Sequence, residues 1–138
     1  MNDRYLYRAK RTDNGKWVEG HLVFDDIDNQ YRIAVQREYS TGTFYGAQAP
    51  RVKRDTICQC TGLKDKNGKL IWENDIIEAH LDDLFPKDIS RFQVLWKDYS
   101  FKIRLEKELY DDFSDYVSEL FEVAGNIFDN QELLEVGE

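Results

Sequence analysis

Short runs of alternating apolar and polar residues, each closed by a polar turn, make up most of this 138-residue chain. Tyr5, Tyr7 and Ala9 take alternate positions of the first run, the two-residue period of a half-buried strand. Asp13-Asn14-Gly15-Lys16 then predicts a turn, because Asn and Gly reach positive φ at little steric cost. Residues 17–24 read as the returning strand, with Gly20 marking a bulge or a close backbone approach. Beyond the polar turn at residues 25–30, Tyr31, Ile33 and Val35 share one face of a third strand.

The chain repeats this scheme around Asp65-Lys66-Asn67-Gly68-Lys69, with Leu63 before it and Leu70, Ile71 and Trp72 after. That pattern predicts a β-hairpin folding back at Asn67-Gly68, and a second turn at Asn74-Asp75 leads into Ile76-Ile77. The stretch after Gly68 resembles the stretch after Gly15, which convergent hairpin chemistry and a duplication explain equally well. Phe92, Val94 and Trp96 line one strand face, and Phe101, Ile103 and Leu105 line that of its return partner. Around residues 106–119 the four-residue spacing of Leu105, Leu109, Phe113 and Val117 permits a helix, while Asp111, Asp112, Ser114 and Asp115 argue for frayed or loop structure. The last strand, residues 121–128, breaks its alternation at Gly125-Asn126, and Asp129 is placed to cap a short helix over 131–135.

The composition agrees with this reading. Aromatic residues make up 14% of the chain and hydrophobic residues 41%, so the chain folds around a core, and its richness in Tyr, Phe, Trp, Val and Ile favours strand. The expectation is a mainly β protein of antiparallel hairpins with a short C-terminal helix. It forms a single domain over 1–138, or two small β subdomains meeting near 50–60.

The net charge of −8 is unevenly spread. Residues 1–70 carry 13 Lys+Arg against 9 Asp+Glu, and residues 71–138 carry 6 against 18. The acidic total opposes free nucleic-acid binding. The polarity fits two solvated faces, self-association or docking on a basic partner. There is neither a signal-peptide core at the N-terminus nor an apolar run long enough to span a bilayer, so the sequence predicts a soluble, cytoplasmic protein.

Candidate chemistry is sparse. Cys58 and Cys60 alternate on a strand and share a face with Thr56, which reads as two small core thiols. Joined to His21 and His80 they would form a Cys₂His₂ set, but Cys-x-Cys is not the usual zinc spacing. The acidic run at 106–119 lacks the spacing and glycine of a calcium loop. The expectation is therefore no catalytic set, no cofactor and no metal site, in a protein that is not an enzyme. Residues 37–50 are the least patterned, and they enclose Phe44-Tyr45 just before Arg51, Lys53 and Arg54. Phe44, Tyr45, Arg51, Lys53 and Arg54 are the candidate interaction surface, a cationic and aromatic lip, set against the plainer reading of a solvated hairpin base.

Three blocks in order resemble the YopX family of phage and prophage proteins. The first is Tyr7-Arg8-Ala9 with Gly15-Lys16-Trp17-Val18-Glu19-Gly20. The second, the most specific, runs from Thr61-Gly62-Leu63-Lys64-Asp65 through Asn67-Gly68-Lys69 to Ile71-Trp72-Glu73-Asn74-Asp75-Ile76-Ile77. The third is Val123-Ala124-Gly125-Asn126-Ile127-Phe128-Asp129-Asn130 with Glu132-Leu133-Leu134. The chain departs from the family pattern at Cys58 and Cys60, where a glycine and an aromatic are expected, and at Asn74, where glycine is expected. Asn tolerates positive φ, so the turn at Asn74 survives.

The resemblance implies a mostly β fold with SH3-like barrel character and a phage-associated, cytoplasmic setting. It carries over no catalytic residue. The leading expectation is a non-enzymatic protein that acts by contact with a host or phage protein, with a homo-oligomer as companion. The alternative is a small-barrel nucleic-acid binder, for which Arg51, Lys53 and Arg54 would meet phosphates and Phe44 and Tyr45 would stack on bases.

Overall fold

Alternation becomes strand at ten places among the residues that the computed structural model describes: 5–35, 49–80, 89–98, 100–106, 109–113 and 119–135. The chain divides into two units, Met1–Cys60 and Thr61–Glu138.

In the first unit β1 (Tyr7–Lys10), β2 (Trp17–Asp25), β3 (Gln30–Ala34) and the start of β4 (Cys58–Lys64) pair in the order β3-β2-β1-β4. All three pairings are antiparallel. The β1–β2 turn closes as the sequence requires, with Gly15 at φ 72° and Lys16 N donating to Asn14 Oδ1 over 2.9 Å. Arg11 grips Asp13 through two hydrogen bonds of 2.9 and 2.7 Å across the same turn. This contact raises the Arg11 pKa and lowers that of Asp13.

Ala9, Ile33 and Val52 form the buried centre of this unit, with Tyr7, Val18, Leu22, Tyr31 and Ile57 packed against it. Ile33 is fully buried, worth about 2–3 kcal/mol of transfer free energy. Residues 50–53 run between β3 and the end of β1. Ile33 N donates to Pro50 O, Val52 N to Tyr31 O, and Lys53 N to Lys10 O. These contacts amount to two isolated bridges, Arg32↔Arg51 and Arg11↔Val52, rather than a strand. Among the described residues the strands make two antiparallel sheets and no closed barrel, so the mainly β class expected from the sequence holds while the SH3-like barrel character implied by the resemblance is not confirmed. Cys58 and Cys60 alternate on β4 with half-buried Gln59, and both thiols are fully buried. Thr56 is buried too, but it ends a single 3-10 turn, Arg54–Thr56, and does not belong to the strand.

In the second unit the end of β4 forms its hairpin with β5 (Leu70–Trp72). The other sheet has the order β10-β6-β7-β8-β9, from β6 (Asp75–Ala79), β7 (Ser90–Lys97), β8 (Ser100–Glu106), β9 (Leu109–Asp112) and β10 (Glu122–Asn126). The short helix α1 (Glu132–Glu135) follows. Ile71, Ile77, Ala79, Val94, Phe101, Ile103, Phe113 and Phe121 make the core. Phe92 and Val94 face it as expected, whereas Trp96, at the strand end, is 42% exposed and packs edge-on against Phe101 at 4.8 Å.

Two local expectations are corrected. Within residues 106–119, segment 109–112 is neither helix nor loop but strand, with Lys102↔Asp112, Ile103↔Asp111 and Arg104↔Tyr110 in register. The free edge of β8 offers backbone partners that outweigh the loop preference of an Asp-rich run. The irregularity in β10 falls between Val123 and Gly125, so Ala124 is the bulged residue, one position before Gly125-Asn126. The loop after it winds around Asn126, whose Oδ1 accepts from Phe128 N and Asp129 N, both at 2.9 Å. Asp129 Oδ2 in turn accepts from Asn126 Nδ2 over 3.2 Å.

The β5–β6 turn works with asparagine in place of glycine. Asn74 sits at φ 70°, its N–H donates to Val94 O, and its Oδ1 accepts from Gln93 Nε2 over 3.1 Å. Asn74→Ala keeps the left-handed strain and loses the Gln93 bond. It should destabilise by about 1–2 kcal/mol, read from urea unfolding midpoints. Asn74→Gly relieves the strain and should cost less.

Candidate interaction surface

Of the five residues proposed from sequence, Phe44 and Tyr45 lie outside the described residues. The three cations are placed, and they do different jobs. Val52, between them, is 3% exposed and anchors the segment in the core of the first unit. Arg51 Nε donates to Asp28 Oδ2 over 2.9 Å and so is committed to an ion pair. Lys53 and Arg54 line a cleft of about 450 Å³ together with Thr12, Phe24, Asn29, Gln30, Tyr31 and Val52.

The 3-10 turn fixes these two cations. Thr56 N and Thr56 Oγ1 both donate to Lys53 O, at 3.0 and 2.7 Å. Lys10 N donates to Thr56 Oγ1 over 2.9 Å, which ties the turn to β1. The Arg54 guanidinium lies 5.8 Å from the Tyr31 ring centroid, within cation–π reach. Tyr31 and Phe24 meet edge to face at 5.0 Å, and Phe24 is still 48% exposed.

The β2–β3 turn beside the cleft is held more firmly than its polar sequence required. Arg32 donates to Asp25 Oδ2 at 3.2 Å, to Asp28 Oδ2 at 2.7 Å and to Ala49 O at 2.9 Å. Ile27 N donates to Asp25 Oδ1 at 3.0 Å, and Asn29 takes φ 58°. Partial desolvation pushes the Asp28 carboxyl up, but the hydrogen bonds and charges of Arg32 and Arg51 outweigh it and hold Asp28 below 3.8. At the tip of this pinned turn Ile27 is 94% exposed. The sequence places Tyr31 on a strand face but assigns no surface role to it, to Phe24 or to Ile27. The available signal was one branched apolar residue inside Asp25-Asp26-Ile27-Asp28-Asn29-Gln30, flanked by two aromatics.

The remaining sequence candidates do not gather. His21 is exposed on β2, and His80, also exposed, follows β6. Among the described residues, no three His, Cys, Asp or Glu side chains form a metal-binding group. No helix among them is long and apolar enough to cross a membrane.

Comparison with proteins of curated function returned no match. The crystal structure of protein EF1440 from Enterococcus faecalis is similar to this chain at 28% sequence identity and a TM-score of 0.59, covering 93% of this chain and 96% of that one. The YopX family profile, described as "YopX protein", matches residues 6–135, which include all three sequence blocks and the cleft. The chain therefore belongs to the YopX family.

Proposed function

We propose that this is a phage- or prophage-encoded cytoplasmic protein that works by non-covalent contact with another protein, without catalysis, and that the β2–β3 turn with its cleft is the contact surface. The observation that carries this reading is Ile27. A residue that would bury its side chain elsewhere stands 94% exposed on a turn locked by the Asp28 ion pairs with Arg32 and Arg51. A rigid apolar tip loses little conformational entropy on docking, which is how a small surface acquires a binding hot spot. The phage setting and cytoplasmic location rest on the character of the family that the chain resembles.

The test compares wild type and Ile27→Asp as baits in lysate from an induced host. The substitution should leave the unfolding midpoint within about 0.5 kcal/mol of wild type, since the side chain contributes nothing to the core. It should weaken capture of a specific partner by roughly thirtyfold, the loss of one apolar anchor. Identical capture by both baits, or capture by neither, would overturn the reading. One observation favours nucleic acid as a second reading: Lys53 and Arg54 lie on the same cleft as the half-exposed Phe24 ring. Retention on single-stranded DNA at low salt, lost as salt rises, is its signature.

A further inference from the structure

The cleft beside Ile27 has a charge as well as a shape. Its eight lining residues include two cations, Lys53 and Arg54, and no carboxylate. The nearby Asp25 and Asp28 are together matched by Arg32 and Arg51. The first unit as a whole holds ten Lys+Arg against eight Asp+Glu, although the full chain carries −8. The lining of the cleft is thus positive within an acidic protein, and it includes the Phe24–Tyr31 aromatic pair together with Asn29 and Gln30.

We propose that this cleft receives an acidic peptide segment of the partner protein, with carboxylates on Lys53 and Arg54 and a neighbouring aromatic or aliphatic side chain on Phe24. The inference rests on the contact reading above and adds the partner's chemistry. Three features favour a peptide over a nucleic-acid strand. The two cations sit together at one turn, so they meet a short anionic stretch and do not track a phosphate backbone. The amides of Asn29 and Gln30 present both donors and acceptors, which suit a peptide backbone. The exposed knob at Ile27 calls for an apolar pocket, which a folded protein supplies and a sugar–phosphate chain does not.

Fluorescence anisotropy with three labelled probes tests this on the full chain: a short peptide alternating Glu and Tyr, the same peptide with Gln for Glu, and an oligothymidine of equal charge. The Glu–Tyr peptide should bind in the micromolar range, weaken with salt, and bind more tightly than either control. In the double variant Lys53→Glu, Arg54→Glu its affinity should fall about tenfold, the loss of two solvent-facing charge contacts. Both side chains are exposed, and circular dichroism melts of the variant should match wild type.

The proposal is overturned if the Gln peptide binds as well as the Glu peptide, if the double variant binds unchanged, or if oligothymidine binds most tightly. That last outcome makes the cleft a nucleic-acid site. Light scattering that showed a dimer lost in the double variant would replace the foreign partner with a second copy and also overturn it. Failure here with Ile27-dependent capture intact removes only the acidic class. Loss of both removes the contact reading with it.

Discussion

Asp65→Asn should lower stability by about 3 kcal/mol at neutral pH, a fall of about 10 °C in melting temperature, although the two side chains are nearly the same shape. Asp65 is 6% exposed in the turn between β4 and β5. Its Oδ1 accepts from Asn67 N and Lys69 N, and its Oδ2 from Val123 N, all at 2.9 Å. Asparagine preserves one acceptor and turns an NH₂ group toward Val123 N–H, so two donors face each other at the start of β10. One carboxylate thus joins the hairpin that organises the second unit to a strand 58 residues further along.

The pH dependence follows from the same contacts. Burial pushes the Asp65 carboxyl up, but the three backbone N–H donors and the charge of Lys69 outweigh it, so the folded value lies below the ordinary 3.8. The fold favours the ionised form. Its contribution is complete above 3.8 and disappears as the pH falls through the lowered folded value. Denaturant midpoints of wild type and Asp65→Asn should therefore differ most near neutrality and converge in acid. A gap independent of pH would show that shape, not charge, makes Asp65 matter.

The hairpins were legible because their determinants are local. Asn14-Gly15 and Asn67-Gly68 both close at a glycine with positive φ, at 72° and 84°, and strand follows each as alternation demanded. Asn74 filled a left-handed position for the same local reason. Strand 109–112 was not legible, because its conformation comes from the edge of β8 and its own residues prefer something else. The proposed contact surface was half legible. Lys53 and Arg54 stood out as cations, but Phe24 and Tyr31 read as ordinary strand residues until the β2–β3 register set them opposite each other. Arg51 looked equivalent to its neighbours, and only the chain path shows it spent on Asp28, 23 residues away. The sequence signalled little of how the turn around Ile27 is held, since beyond the local Ile27–Asp25 hydrogen bond its ties come from Arg32 and Arg51 outside it.

Gly20→Ala is the other substitution with a large expected effect, and it fails by a different route from Gly15. At Gly15 the φ of 72° strains any L side chain, yet an added Cβ meets nothing within 4 Å, so Gly15→Ala should cost only about 1 kcal/mol. At Gly20 the backbone is not left-handed, and alanine would by itself gain slightly through reduced freedom of the unfolded chain. The added Cβ, however, overlaps the carbonyl oxygen of Ala34 and comes within 2.9 Å of its carbon and 3.1 Å of Ile33 Cγ2. Two of these atoms are backbone, and Ile33 is fully buried, so nothing flexible can yield. The end of β3 must move away from β2, and the cost should be about 2–3 kcal/mol, read from denaturant unfolding. The damage should also be local. Amide exchange in β2 and β3 should quicken in Gly20→Ala while β6 and β7 keep their protection, because the affected contacts all belong to the first unit. The β2–β3 hairpin also carries Ile27, so on the contact reading proposed above Gly20→Ala should weaken partner capture at temperatures where the second unit is still folded. A variant that unfolds everywhere at once would show instead that the two units share one cooperative transition.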